Sequence, residues 1–442
     1  MSDYMFMLES HLTGEQYRVV NQVQKAAQDA GLSLYLTGGA MRDITGGFPV
    51  RDLDFTVEAN PAKLVKALVK SAEAEVVSED EKTKSTEMKF PGGVTVEIGM
   101  AHTEKFSKTG AKPQIAAATI YEDLLRRDFT VNAVALSLNK ASLGLLIDPS
   151  NGMGDIERHE LRTINNYSFY DDPGRLLRLI RFKVRLGFTL DERTRSQVEN
   201  AIEAGMLDKI SPEALGAELR NLAREATPHD LVKALEEEKL LGLYSPALGA
   251  GKVDYATLMK LQKALQLVPF GVDFEIDYLP LFLECLLEKL NAKDRAAVIK
   301  AAGIMRAEVN ALDKLAPAAK KLDKALQSAK LQKASALYEL LIATPGEQIL
   351  HLAVFSGQRL VQDRIKHYFQ KYLPMSLEIT DEMVAATGVA PGTPKFKKAK
   401  EEMILKHLDA RPKKVAPPPE PPPPPPPMSG FARGSGVRRA QS

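Results

Sequence analysis

The residues of this 442-residue sequence best suited to chemistry are two aspartates, Asp52 and Asp54, in a short run of strand-forming residues. Because side chains alternate along a strand, residues two apart project from the same face. Two carboxylates at this spacing can share a hard divalent cation such as Mg²⁺. The pair alone is only moderately specific, because paired aspartates often do no more than solvate a strand edge.

A glycine turn, Gly38-Gly39, precedes this pair and follows the apolar run 33–36. Two glycines let the backbone turn tightly and approach a ligand closely. The helix start expected after the turn presents free N–H groups, which suit a phosphate, and Arg42 adds a guanidinium cation. We therefore predict a strand, a turn, a helix and a second strand that together grip a triphosphate beside a metal site.

A second polar group consists of Arg126, Arg127 and Asp128, with Asn132 four residues further on. It could be an ion-pair cluster on the surface. Alternatively, Arg127 contacts the phosphate or ribose oxygens of a nucleotide, and Asp128 holds a ribose hydroxyl or orients Arg127. The spacing alone leaves both interpretations open.

A third group, Asp172 with Arg175, Arg178 and Arg181, has helical spacing. Arginines at every third position stay on one face of a helix. Such a stripe is often simply solvated. A carboxylate and a guanidinium one turn apart can also hydrogen-bond the pairing edge of a base, which would select cytosine or adenine.

Strands and helices are predicted to alternate up to about residue 150. The pattern indicates a helix over 10–30 that ends at Gly31, loops over 78–89 and 102–116, and a strand over 93–98 that carries Glu97. We place the end of this mixed first domain at the turn-rich segment 147–155.

After Ile164 the pattern predicts helices only, so the fold class is α+β. One helix is expected to open at Asp171, with Pro173 in its first turn. The expected divisions are a head over 1–150, a helical neck over 151–226, a helical body and tail over 227–410, and a disordered proline-rich, basic extension over 411–442.

Composition excludes several classes of protein. The formal net charge is +2, so any affinity for nucleic acid must come from local patches. The single cysteine, Cys285, rules out a disulfide framework and a cysteine-rich zinc site, and its apolar surroundings indicate a buried residue. No apolar run of transmembrane length is present. We expect a cytoplasmic protein without a membrane partner.

The motifs occur in an order that resembles the class II tRNA nucleotidyltransferase and bacterial poly(A) polymerase family. They are Gly-Gly-x-x-Arg-Asp from Gly38, Asp-x-Asp from Asp52, Arg-Arg-Asp-Phe-Thr-x-Asn-Ala from Arg126, and the acidic run from Asp171 that continues Asp-Pro-x-Arg. Each motif is moderately specific, and four in order are highly specific. The resemblance covers about residues 30–225.

The resemblance implies a nucleotidyltransferase head followed by an all-helical neck, body and tail. It implies template-independent addition of CCA, or part of it, to a tRNA 3′ end from CTP and ATP by two-metal-ion nucleotidyl transfer, with Mg²⁺ as the cofactor. Poly(A) tailing and a catalytically silent RNA-binding protein are the alternatives, and the oligomeric state is not predicted. The implied metal ligands are Asp52 and Asp54, and the implied nucleotide-binding residues are Gly38, Gly39, Arg42, Arg127, Asp128, Asp172, Arg175, Arg178 and Arg181.

Three positions depart from the family pattern. Asp171 stands where Glu is usual, His102 where Arg is common, and Ala214 where Arg is usual. The last change predicts the loss of a neck salt bridge or an RNA contact. A separate His229-Asp230 pair could suggest a phosphohydrolase metal site, but the single scattered histidines do not supply further ligands. We interpret this pair as part of a helix start.

Overall fold

A seven-stranded mixed sheet forms the centre of the N-terminal half of the chain. The computed structural model describes residues 3–109, 111–269, 272 and 274–410, so the predicted extension over 411–442 lies outside the described residues. The elements up to residue 147 are α1 (Asp3–His11), α2 (Gly14–Ala30), β1 (Leu34–Thr37), α3 (Gly39–Gly46), β2 (Leu53–Val57), α4 (Ala62–Ser71), β3 (Glu75–Asp80), β4 (Ser85–Lys89), β5 (Thr95–Met100), β6 (His102–Lys105), β7 (Gln114–Ala117), α5 (Ile120–Leu125), β8 (Ala135–Ser137) and β9 (Leu146–Ile147).

The order of strands in this sheet is β3-β4-β5-β2-β1-β8-β9. Only β2 and β5 run parallel, and their register sets Asp54 opposite Glu97. On the other side, β2 pairs with β1, so that Asp54 lies opposite Thr37. The central position of β2 therefore brings three predicted features together: the end of β1, the aspartate pair and Glu97.

Local signals explain the helix that supports this sheet. Thr13 and Gln16 form a capping box at the start of α2, and Gly31 ends it with φ = 70°. Left-handed φ at a helix end favours glycine, as the sequence predicts. The helix buries Val20 and Val23 against the sheet in the head core, so the predicted helix over 10–30 is confirmed from Gly14 onward.

Two predicted loops are wrong. The charged stretch 78–89 forms most of the hairpin β3–β4, which joins the sheet by pairing β4 with β5. The stretch 102–116 contains most of the hairpin β6–β7. Backbone pairing with neighbouring strands stabilises both segments, although their side chains lack the apolar alternation that identifies a strand in sequence.

The neck follows the head through a short connection. Its elements are α6 (Gly152–Arg158), β10 (Glu160–Leu161), α7 (Ser168–Asp171), α8 (Arg175–Leu186), β11 (Thr189–Leu190), α9 (Glu192–Glu203) and α10 (Pro212–Arg224). The helix predicted to open at Asp171 instead begins at Arg175, because Pro173 and Gly174 form a turn before it. The small parallel pair β10–β11 is the exception to the helices-only prediction.

The rest of the described chain is helical. Its helices are α11 (Pro228–Glu237), α12 (Pro246–Gly249), α13 (Tyr255–Leu265), α14 (Tyr278–Leu286), α15 (Ala292–Ala301), α16 (Arg306–Leu326), α17 (Ala334–Ile342), α18 (Gly346–Phe355), α19 (Arg359–His367), α20 (Leu373–Leu377), α21 (Asp381–Ala385) and α22 (Pro394–Asp409). One apolar core, which includes the buried Cys285, runs from Leu177 to Leu408 and joins the neck to these helices. The α+β prediction is confirmed.

The predicted helix start at His229-Asp230 is present, since both residues lie in the first turn of α11. None of the helices in the described part of the chain is both long and apolar enough to cross a membrane.

Candidate active site

A cavity of about 610 Å³ lies between the central strands of the head sheet and helix α8 of the neck. Among the predicted site residues, the structure brings together on its wall Gly38, Gly39, Arg42, Asp52, Asp54, Arg127, Asp128, Asp172, Arg175 and Arg178. Arg181 does not line it. Residues from four distant parts of the sequence therefore meet in one place.

The acidic part of the cavity is formed by Asp52, Asp54 and Glu97. Burial raises the pKa of Asp54 to about 7, and the charges of Glu97 and Asp52 add to this effect. Removal from bulk water also raises the pKa of Asp52, against the opposing influence of nearby arginines that include Arg185 and Arg224. Crowded carboxylates of this kind favour either a proton or a bound cation.

These carboxylates do not form a complete metal cage. Among the described residues, no three His, Cys, Asp or Glu side chains are arranged to hold a metal ion by themselves. Mg²⁺ is commonly held by one or two carboxylates together with the phosphates of a substrate. The oxygen donors of Asp52 and Asp54 therefore fit a cation that binds together with a nucleotide.

Gly38 allows the close approach of the backbone to the acidic residues. Its φ is 67°, and a Cβ at this position would lie 2.5 Å from Oδ2 of Asp54. Both observations favour glycine, because a larger residue would be strained and would collide with the carboxylate. The predicted glycine turn thus lies directly against one of the predicted metal ligands.

Arg127 and Asp128 are held by neighbouring polar groups. Arg127 Nη2 lies 2.9 Å from Oδ2 of Asp123 and Nη1 donates to the carbonyl oxygen of Asn132. Asp128 accepts from Asn132 Nδ2 at 3.0 Å and from Arg178 Nη1 at 3.0 Å. Burial opposes ionisation of Asp128, but the guanidiniums of Arg178 and Arg175 and the hydrogen bond from Asn132 together outweigh it and lower the pKa to about 2. Asp128 is therefore an anion at neutral pH.

The start of α8 presents a carboxylate beside a guanidinium. Arg175 donates through Nη1 to Ser168 Oγ at 2.9 Å and through Nη2 to the carbonyl oxygen of Arg126 at 3.0 Å. Its Nε is buried without a hydrogen-bond partner and lies 3.6 Å from Oδ2 of Asp172. Asp172 uses its Oδ1 to accept from the N–H of Gly174. Oδ2 of Asp172 also lies 3.7 Å from Nη2 of Arg178 and accepts no described hydrogen bond, so a donor and an acceptor without hydrogen-bond partners lie side by side.

Two predicted nucleotide contacts have mainly internal partners. Arg181 is only 8% exposed and pairs with Glu218 at 2.9 Å and Glu225 at 3.4 Å, away from the cavity. The side chain therefore fastens α8 to α10, and its predicted nucleotide contact stays a prediction. Arg42 lies on the cavity wall, but its guanidinium donates to Asp43 and Asn132. Its predicted contact with a triphosphate stays a prediction.

Sequence reasoning missed Asp123 and Glu104 as residues of the cavity and gave Arg126 no contact of its own. The three side chains form an ion-pair cluster on one wall, where Arg126 lies 2.9 Å from Glu104 and 2.8 Å from Asp123. The spacing of Asp123 four residues before Arg127 on a helix could have revealed their pairing. Arg185, also on the wall, pairs with Asp43 at 3.0 Å and could have been found only as a further member of the arginine stripe.

Two departures from the family pattern can now be placed. His102 lies on the cavity wall, with its Nδ1 2.8 Å from the carbonyl oxygen of Met100 and its Nε2 3.4 Å from Oε1 of Glu104. Ala214 packs against the turn before α8, where its Cβ lies 3.1 Å from a Cβ built on Gly174. Salt bridges from Glu218 and Glu225 nevertheless hold the neck together.

The head, which carries the acidic residues of this site, resembles a known family of domains. Residues 34–162 match the poly(A) polymerase head domain family. The chain is 31% identical over 241 residues to an A-adding tRNA nucleotidyltransferase of Geobacter sulfurreducens, an alignment that covers 54% of this chain and 27% of that protein. It is 31% identical over 249 residues to an A-adding tRNA nucleotidyltransferase of Halalkalibacterium halodurans, covering 55% and 58%.

Among solved structures, the fold is similar to that of a CCA-adding enzyme in an apo form. The TM-score is 0.55 at 25% identity, and the match covers 93% of this chain and 96% of the other. The chain is thus similar in fold to a CCA-adding enzyme and, over about half of its sequence, to A-adding tRNA nucleotidyltransferases. It spans 27% of the length of the first of these two curated relatives and 58% of the length of the second.

Proposed function

We propose that the chain is a template-independent nucleotidyltransferase that adds nucleotides from CTP and ATP to the 3′ end of tRNA. The observation that carries this proposal is the meeting of Asp52 and Asp54 with the Asp172–Arg175 pair in one cavity. The first pair supplies a cation site, and the second supplies groups that can read a base without a nucleic-acid template.

The cation we propose is Mg²⁺, held by Asp52 and Asp54 with Glu97 beside them. When bound, it would lower the pKa of the RNA 3′-hydroxyl and neutralise charge on the departing pyrophosphate. The crowding that raises the pKa of Asp54 to about 7 supports this assignment, because a divalent cation relieves the repulsion among the carboxylates.

The protein's own side chains position the nucleotide. The N–H of Gly39, the first residue of α3, donates to the Asp54 carboxylate. The start of this helix therefore lies beside the acidic residues, where a helix N-terminus suits a triphosphate. We assign Arg127 and Asp128 to phosphate and ribose oxygens, which is supported by their position on the wall of the same cavity as the acidic residues. Because internal hydrogen bonds fix both side chains, they lose little conformational freedom when a nucleotide binds.

The unsatisfied Arg175 Nε and Asp172 Oδ2 match the pairing edges of two bases. Cytosine and adenine each present a ring nitrogen acceptor next to an exocyclic amine donor. Guanine and uracil present a ring N–H donor instead. Arg175 would donate to the ring nitrogen and Asp172 would accept from the amine, which explains selection of C and A by one pair of residues.

Addition of only the terminal A is the second candidate, and the names of two relatives favour it. Poly(A) tailing is a further alternative, which the name of the head-domain family raises. These activities share the chemistry of the cavity and differ in when addition stops, so product analysis is needed to separate them.

The test is incubation with tRNA transcripts that end before CCA, after C and after CC, together with an unrelated RNA, followed by sequencing of the 3′ ends. We expect C and A to be added to the transcripts in the order that completes CCA. Addition only to the transcript ending in CC would establish A addition, and long A tracts on the unrelated RNA would refute the tRNA proposal.

The variant Asp52→Ala tests the metal assignment. Loss of the carboxylate should abolish incorporation and leave the circular dichroism spectrum unchanged, because Asp52 is exposed to the cavity and makes no described side-chain hydrogen bond. Substantial incorporation by this variant would refute the role of Asp52 as a metal ligand.

A further inference from the structure

A second cavity of about 330 Å³ meets the first at the acidic residues. Asp52, Asp54 and Glu97 line both cavities. The second cavity is bounded by the β3–β4 hairpin, by the start of β5 and by Arg224 at the end of α10. The arginine and aspartate groups that fit a nucleotide lie only on the wall of the first cavity.

The chemistry of nucleotidyl transfer requires two approaches to the same acidic residues. In an in-line displacement, the attacking oxygen and the departing pyrophosphate lie on opposite sides of the α-phosphorus. If the triphosphate occupies the first cavity, the RNA 3′ end must reach the carboxylates from another side. The second cavity offers that approach.

Arg224 differs from the other arginines near the acidic residues. It is exposed, and its side chain makes no hydrogen bond or ion pair with the residues that the structure describes. Arg51 and Arg185, by contrast, are paired with Glu225 and Asp43. Arg224 nevertheless lines the same cavity as Asp52. Its guanidinium is therefore available to a ligand.

The remaining wall of the second cavity opposes RNA. Glu79, Asp80 and Glu87 line it, and Arg224 is the single cationic residue among the described residues that do so. A phosphate backbone that enters would meet acidic side chains on the hairpin and one guanidinium opposite them. The position of the entering strand must then depend strongly on that guanidinium.

We propose that Arg224 is a positioning residue that binds a backbone phosphate of the RNA acceptor strand in the second cavity. This inference rests on the proposed nucleotidyltransferase function. The Arg224–phosphate contact directs the strand's 3′-hydroxyl toward Asp52 and Asp54, and the acidic hairpin confines the strand to the side of the cavity that Arg224 occupies.

The test compares Arg224→Ala and Arg224→Lys with Arg195→Ala. Arg195, on helix α9 of the neck, is exposed, lines neither cavity and makes no described side-chain contact, so its removal changes the charge equally. Incorporation is measured with a tRNA transcript that ends before CCA, with RNA and nucleotide concentrations varied in turn. Thermal unfolding verifies that each variant is folded.

For Arg224→Ala we expect the KM for RNA to rise about tenfold, in line with the loss of one charge-assisted contact. The KM for the nucleotide and the kcat at saturating RNA should stay within about twofold of the parent values. The slope of log KM for RNA against log salt concentration should fall by about 0.7 to 1, which corresponds to one phosphate contact. Arg224→Lys should recover most of the affinity, and Arg195→Ala should match the parent.

The inference is overturned if Arg224→Ala leaves the KM for RNA unchanged or raises only the KM for the nucleotide. It is also overturned if Arg195→Ala raises the KM for RNA by the same factor as Arg224→Ala. Binding of the same transcript, labelled at its 5′ end, is followed in parallel by fluorescence anisotropy at several salt concentrations. If the parent protein incorporates no nucleotide, the proposed function fails, but the anisotropy series still decides whether Arg224 contacts the RNA.

Discussion

Asp54→Asn should abolish catalysis and at the same time stabilise the protein in a chelating buffer. Burial and the neighbouring charges of Glu97 and Asp52 raise the pKa of Asp54 to about 7, from 3.8 for an unperturbed aspartate. The folded state therefore binds this proton more tightly than the unfolded state. Stability is lost as the pH rises from about 4 through 7, where the folded carboxyl must ionise.

The size of the effect follows from the pKa difference. About three pKa units correspond to about 4 kcal/mol of unfolding free energy, reached above pH 8. Access of water through the cavity screens part of this cost, so we expect a gain of about 2 to 4 kcal/mol for Asp54→Asn. Asparagine keeps the shape of the side chain and an oxygen that can accept from the N–H of Gly39.

The assay is thermal unfolding followed by far-ultraviolet circular dichroism, because the chain has no tryptophan. At pH 8.5 with chelator, the head of Asp54→Asn should unfold about 5 to 10 °C above that of the parent. At pH 5 this difference should shrink by more than half. Asp29→Asn, at an exposed position near the end of α2, serves as the control. Added Mg²⁺ should raise the unfolding temperature of the parent and leave that of Asp54→Asn nearly unchanged.

Equal stability of Asp54→Asn and the parent at pH 8.5 would refute the reasoning, and so would a gain that does not depend on pH. Hydrogen exchange measured by mass spectrometry provides a local check. The gain should be concentrated in peptides that cover β2 and β5, because the crowded carboxylates lie on these two strands.

Three further predictions concern backbone, ion-pair and histidine positions. Gly38→Ala should lower kcat at least tenfold, because the new Cβ would lie 2.5 Å from Oδ2 of Asp54 at a φ of 67°; steady-state incorporation measures this, and parent-like kcat would contradict it. Glu225→Ala leaves three guanidiniums near an empty position and should destabilise the protein by about 3 to 5 kcal/mol in urea unfolding, whereas Glu213→Ala on the exposed side of α10 should have little effect. Burial lowers the pKa of His351 to about 4, so the free energy of unfolding should fall by about 3 kcal/mol as the pH drops from 6.5 to 4. His351→Leu should remove this loss, and the same loss of stability at low pH in the variant would contradict the assignment to His351.

The features that the sequence determined are those set by neighbouring residues. The cap at Thr13 and the stop at Gly31 bound α2, and α10 spans residues 212–224 with Ser211 as its N-cap. The α+β organisation and the alignment of Asp52 with Asp54 likewise follow from local periodicity. Short-range signals suffice here because hydrogen bonds within a few residues decide where a helix or turn begins and ends.

Tertiary structure decided which charged residues have partners, and the sequence could not show this. Arg181 and Arg178 belong to the same stripe, yet Arg181 is buried against Glu218 while Arg178 reaches the cavity and pairs with Asp128. Likewise, most of the polar stretch 78–89 forms a hairpin, which backbone pairing of β4 with β5 stabilises. The sequence likewise gives no sign that the Arg224 side chain lacks an ion-pair partner among the described residues.

The physical reason is that the environment of a charged side chain depends on residues far away in the chain. A guanidinium links elements of the fold through an ion pair when a buried carboxylate faces it, and it can bind a ligand when none does. The sequence therefore determined the chemical groups of the site and the elements that carry them. The packing of α8 and α10 against the head sheet decided which of those groups remain free to act.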